Sequence, residues 1–208
     1  WELCGSVENT IQRREVVLSA FPKRTVPDLC EMGIVCNHTG LMPAAAAFHA
    51  PHARVTELCD IFASQEAGGI LTTTPFIDVF NCMRRTDEQS FGGGVFIIVD
   101  TEKNDSWEIL REKGISVSKD GKRALLYNPS HLLGLEAAIS VMSTVWLDKP
   151  TGNQDIRHNV DLHARASRDW SAGEVLVITD HHHHEIDGLL AELNPAAHAG
   201  ENGPLPYY

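Results

Sequence analysis

The chain has 208 residues, enough to bury a core and to hold one or two domains. Its 22% charged and 43% hydrophobic residues are the proportions of an ordinary soluble globular protein. A net charge of −11 argues against a nucleic-acid partner, and no apolar run approaches the roughly 18 residues that cross a bilayer.

The opening Trp1-Glu2-Leu3-Cys4 lacks the charged and apolar regions of a signal peptide. The five cysteines contain no C-x-x-C pair and are odd in number, the pattern of reduced thiols in a cytoplasmic protein. The abrupt ends at Trp1 and Tyr208 read as those of a fragment.

In chain order, Pro27-Asp28 and Gly40 bound a helix over 27–39, with Leu29, Met32 and Cys36 on one face. Residues 43–51 form a proline-bounded connector, and 55–63 read as a second helix through Leu58, Ile61 and Phe62. After Gly68-Gly69, residues 70–74 read as a strand, and the apolar run 95–99 as a buried strand. Asp105-Ser106-Trp107 opens a short helix that ends at Gly114. Residues 115–118 and 123–127 flank Asp120-Gly121 as a hairpin. Apolar residues at 132, 135, 139, 142 and 146 step by three or four and predict a helix over 131–147. A linker at 149–153 precedes short strands at 160–167 and 174–179. The fold class is α+β: a mixed or antiparallel sheet with packed helices over 1–152, then a small β module over 153–208.

The segment Tyr127-Asn128-Pro129-Ser130-His131 joins a strand to a helix. Pro129 cannot donate to a ladder, Ser130 can cap the helix, and His131 and Glu136 fall in its first turns. There the unpaired N–H groups and the helix dipole favour anions. Tyr127 could orient a substrate hydroxyl, and His131 could act as a general acid. Glu136 could pair with a cation or bind metal, or instead form a buried salt bridge. Glu31 lies beside Lys23-Arg24, whereas Asn37-His38 is placed to cap its helix. The run His181-His182-His183-His184 puts two imidazoles on each face of a strand; a solvated run that picks up adventitious metal is the preferred reading over a zinc or nickel site.

Tyr127-x-Pro129-x-His131-Leu132-x-Gly134-x-Glu136 and Lys149-Pro150-Thr151-Gly152, with Glu31-Met32, Glu66-Ala67-Gly68-Gly69 and Gly94-Val95-Phe96 in order before them, resemble one oxidoreductase group. These are homoserine-dehydrogenase-like, NAD(P)-dependent proteins with a C-terminal SAF domain, including the deoxyxylulose-phosphate reductoisomerase-like enzymes. Residues 166–176 look like the opening of the SAF module, which is truncated here. The resemblance implies NAD(P), a small polar carbonyl or polyol substrate, phosphorylated or not, a homodimer, and Glu31, Tyr127, His131 and Glu136 as the catalytic face. It implies a divalent metal if the reaction is a rearrangement.

The family's nucleotide-binding Rossmann domain has no counterpart here, because Gly92-Gly93-Gly94 leads into a strand rather than a helix. The family's Asp-Gly-Thr-Lys segment is replaced by Arg24-Thr25-Val26-Pro27. The alternative is therefore a non-catalytic ligand-binding or dimerisation protein that has lost the cofactor domain and that lysine.

Overall fold

The computed structural model describes every residue except 1, 2, 4, 22–28, 101–103, 131–132, 153–154, 177–184, 187 and 197–208. Its described residues form two compact units. The first is drawn from Trp1–Pro22, Pro51–Thr74 and Phe80–His131, the second from Lys23–Ala50, Pro75–Val79 and Leu132–Tyr208. Both helices and small sheets are present, so the fold is α+β. No helix among the described residues is long and apolar enough to cross a membrane.

The first unit opens with a helix that the sequence reading did not expect. Ser6 caps α1 (Val7–Val17) by accepting the Asn9 N–H at 3.1 Å. Few apolar residues mark this helix, and it is fixed instead by a buried charge. Arg14, 3% exposed, forks onto Glu57 with two bonds of 2.8 Å and donates to the His52 carbonyl at 3.0 Å. Burial alone would raise the Glu57 carboxyl, but the Arg14 and backbone N–H bonds outweigh it and hold it below its usual range.

Residues 55–63, expected as one helix, form a 3-10 turn (Val55–Glu57) followed by α3 (Leu58–Ile61). Residues 70–74 do not form the expected strand. The Gly68-Gly69 turn brings Leu71 back to Ser64 in an isolated bridge, so the exposed threonines that follow have no ladder to join. The sheet of this unit is β5 (Val95–Asp100), β7 (Arg123–Asn128) and β6 (Ser116–Val117), antiparallel throughout, with β7 central. The hairpin between β6 and β7 turns at Asp120-Gly121, where Gly121 takes a φ of +72°. Helix α4 (Asn104–Glu112) packs against β6 and β7, and its Trp107 indole donates to the Lys122 carbonyl at 2.8 Å. Leu58, Ile61 and Leu125 are fully buried between these elements.

β5 departs from expectation in one respect. Val95 and Ile97 are 65% and 59% exposed while Phe96, Ile98 and Val99 are half-buried, so the apolar run is not buried as a whole. The short parallel pair β2 (His52–Ala53) and β4 (Asn81–Cys82) completes the unit.

In the second unit, α2 (Leu29–Thr39) stops at Gly40, whose N–H bonds the Cys36 carbonyl at 2.8 Å with a φ of +76°. The expected face of Leu29, Met32 and Cys36 packs into a core with Phe48, Ile77, Val79, Val160 and Leu193. β1 (Met42–Pro43) pairs in parallel with β3 (Phe76–Ile77). β8 (Val160–Ala166), β10 (Leu189–Pro195) and β9 (Glu185–Ile186) form an antiparallel sheet with β10 central. The strand expected over 174–179 is absent at 174–176; residues 177–179 lie outside the described part. Helix α5 (Leu133–Leu147) has the expected period, yet Leu135, Ile139 and Trp146 are 72%, 55% and 75% exposed, so its stripe is not core.

Asn37 ties α2 to the start of β8. Its Oδ1 accepts the N–H groups of Asn159 (2.8 Å) and Val160 (3.0 Å), and its Nδ2 donates to the Val160 carbonyl at 3.2 Å. Asn37→Ala strands these buried backbone groups. The expected loss is about 2–3 kcal/mol of stability, read from urea unfolding at unchanged slope. A loss within experimental error would contradict the role assigned to this amide.

Candidate functional site

The strand end picked out by the sequence borders a small cleft in the first unit. Gly94 makes the local geometry possible: a Cβ there would lie 2.7 Å from the carbonyl oxygens of both Asn128 and Pro129. Only glycine lets the start of β5 close on the end of β7, and so the Gly92-Gly93-Gly94 run serves strand packing.

A row of aromatic rings leads from the core to this edge. Phe62 stacks on Phe96 at 5.6 Å, Phe96 meets Phe80 at 5.4 Å, and Phe80 meets Phe91 at 5.1 Å. The Phe91 ring then lies 5.9 Å from that of Tyr127. Tyr127 is half exposed at the outer end of the row, as a phenol must be if its hydroxyl is to meet a ligand.

The cleft of about 160 Å³ is lined by Tyr127 and Pro129 together with Arg54, Thr56, Cys82, Arg84, Glu88, Ser90 and Phe91. It is about half the roughly 300 Å³ at which small-molecule pockets begin, so it suits a ligand of a few heavy atoms. Its charge is organised around Glu88, which is ion-paired with Arg54 and accepts the Arg85 N–H at 2.9 Å. The Arg85 N–H first, and the Arg54 guanidinium after it, hold the Glu88 carboxyl below its usual range. One terminal nitrogen of Arg84, Nη1, donates to the carbonyls of Glu88 (3.0 Å) and Arg85 (3.3 Å), which fixes one end of its guanidinium. Two arginines, one of them paired with the Glu88 carboxylate, two hydroxyl residues and a phenol thus line one small space.

The other expected residues belong elsewhere. Glu31 is exposed in the first turn of α2, and Glu136 is exposed in the first turn of α5, both in the second unit. Glu136 therefore does not form the buried salt bridge weighed above. Tyr127 is in the first unit. His131, Lys23-Arg24 and His181-His182-His183-His184 lie outside the described residues. Among the described residues, no group of three or more His, Cys, Asp or Glu is arranged to hold a metal ion.

Sequence reading missed a second constellation, His49 with Asp78 in the second unit. The His49 Nδ1 lies 2.6 Å from Asp78 Oδ2, while Asp78 Oδ1 accepts the N–H groups of His49 (3.0 Å) and Val79 (2.8 Å). The two are 29 residues apart, and no motif joins them. The only local signal is a histidine inside the proline-bounded 43–51 connector.

The sequence model of the family described as "Oxidoreductase DRL, catalytic domain" matches residues 17–137, more than half of the chain. No curated protein matches.

Burial disfavours the thiolate of the cleft cysteine. Burial pushes the Cys82 thiol up, and pushes Cys36 to about 11 and Cys59 to about 12. In the native protein at pH 8, iodoacetamide should leave all three unmodified, and unfolding should release them. Rapid alkylation of native Cys82 would contradict the cleft chemistry described.

Proposed function

We propose, from the premise that this chain belongs to the DRL oxidoreductases through their catalytic domain, that it is the substrate-binding and catalytic portion of an NAD(P)-dependent enzyme. The substrate is a small polar carbonyl or polyol compound that carries a phosphate. The observation that carries this reading is the cleft at the end of β7, where Arg54 and Arg84 face the same small space as Tyr127. A phosphate takes the guanidinium donors, and the Tyr127 hydroxyl meets a neighbouring oxygen of the substrate.

The described residues do not fit the dinucleotide itself. The cleft is too small to enclose one, and the Gly92-Gly93-Gly94 run opens a strand with its third glycine pressed against Asn128 and Pro129. A dinucleotide loop instead needs a strand, a glycine turn and a helix whose N–H groups meet the pyrophosphate. On this reading the cofactor is held by a homoserine-dehydrogenase-like nucleotide-binding domain that is not among the described residues. The rest of the reading is a SAF-like module over 153–208, a homodimer and a cytoplasmic setting.

Glycerol 3-phosphate is the probe for the cleft. Titrated into the 208-residue chain, it should shift the NMR signals of Arg54, Arg84, Ser90 and Tyr127. Arg84→Ala should weaken binding about tenfold, the roughly 1.5 kcal/mol of one charge-assisted hydrogen bond. Shifts confined to other residues, or none at saturating probe, would contradict the reading.

A further inference from the structure

One guanidinium of the cleft is already occupied. Glu88 Oε1 is ion-paired with Arg54, while Oε2 accepts the Arg85 N–H at 2.9 Å. Both side chains of the pair are partly solvated, Arg54 31% and Glu88 25% exposed. An ion pair so placed is weak, because water screens the attraction and two long side chains lose freedom in forming it.

The segment that carries Glu88 is built as a strap. Its upstream end is fixed where the Met83 N–H meets the Ala53 carbonyl at 2.7 Å, and its downstream end where the Phe91 ring lies against those of Phe80 and Tyr127. Between them residues 84–87, 89 and 90 are exposed, and Glu88 is half-buried. The turn is closed on itself: the Glu88 N–H donates to the Arg85 carbonyl at 3.2 Å, and Arg84 Nη1 donates to the carbonyls of Arg85 and Glu88. Glu88 Oε1 instead reaches Arg54, 34 residues away in the sequence, and so ties the strap to a second segment of the cleft lining.

We infer that Glu88 is a built-in competitor of the cleft: its carboxylate occupies Arg54 until the anionic group of a ligand replaces it, and the 84–90 strap is released from Arg54 in the same event. The exchange is balanced in charge, since one anion leaves the guanidinium as another arrives, and Glu88 keeps the Arg85 N–H throughout. The contact makes the cleft selective. A neutral hydroxyl does not displace a carboxylate from a guanidinium, whereas a phosphate brings more charge and more acceptor oxygens. The inference rests on the reading of the cleft as a phosphate site, but not on what the phosphate is attached to.

Inorganic phosphate is therefore the probe, titrated into the 208-residue chain at neutral pH and constant ionic strength. The NMR signals of the Arg54 side chain and the Glu88 carboxyl carbon should both move along one saturation curve. Glu88→Gln keeps an acceptor for the Arg85 N–H and removes the competing charge. It should bind phosphate about fivefold more tightly, the upper end of what an exposed ion pair is worth. Asp87→Asn is the control: it removes the same charge from the same turn, but Asp87 pairs with Arg85 at 3.3 Å rather than with Arg54. Its affinity should change by less than about twofold. No gain in Glu88→Gln, an equal gain in Asp87→Asn, or a Glu88 signal that stays in place while Arg54 saturates would each overturn the competitor and leave the phosphate site standing. No shift at Arg54 in any of the three chains would remove both. A gain with inorganic phosphate but no binding of glycerol 3-phosphate would support the competitor and sink only the substrate assignment. Should Glu88→Gln fail to fold, the Glu88 carboxyl signal of the native chain decides alone.

Discussion

One carboxylate constrains the second unit more than any apolar contact. Asp78 lies directly after β3, and the bonds it accepts reach back to the loop that follows β1. Phe48 and Ala50, which that loop sends into the core, are buried together with Ile77 and Val79 on either side of Asp78. Hydrogen bonds and apolar burial thus fix the same few residues. A buried carboxylate costs several kcal/mol to desolvate unless N–H donors surround it, and here three backbone donors and an imidazole do so. The left-handed backbone at 48 and 50 is the geometric consequence of bringing those donors to one pair of oxygens.

The first unit follows the same logic with opposite charge. Arg14 is buried on Glu57, and breaking such a pair from one side costs about 3–5 kcal/mol because the remaining charge stays uncompensated. Glu57 also accepts the N–H of Arg54 at 3.0 Å, and the Arg54 side chain goes on to the cleft to pair with Glu88. The buried ion pair and the cleft are therefore joined through one residue. The aromatic row ends at the other wall, where Phe91, backed by Phe80, Phe96 and Phe62 in series, meets the Tyr127 ring.

The parts of this fold that were legible in the sequence are those with a strong local period and local stops. α2 was readable from Leu29, Met32, Cys36 and Gly40, and the β6–β7 hairpin from Asp120-Gly121, because the signals lie within a few residues of what they determine. α1 was missed because its anchor is the long-range Arg14–Glu57 pair rather than an apolar stripe, although Ser6 was a usable cap signal. The two-residue parallel pairs leave no pattern to read. At the site, Tyr127 and Pro129 were found because a proline ends a strand there. Arg54, Arg84 and Glu88 were not, because nothing short-range separates a cleft arginine from a solvated one. His49 and Asp78 meet only through tertiary structure. Helix α5 shows the converse: its period was plain, but period alone does not say what covers the stripe.

On the function proposed here, these residues hold the substrate half of an oxidoreductase whose nicotinamide is bound by another domain. Calorimetric titration of NADH and NADPH, onto this chain and onto the longest natural chain that contains it, tests that division. No dinucleotide binding by the 208 residues and saturable binding of one of the two by the longer chain are expected. Binding by the 208 residues alone would contradict the division of labour, and no binding by either would contradict the nicotinamide reading itself.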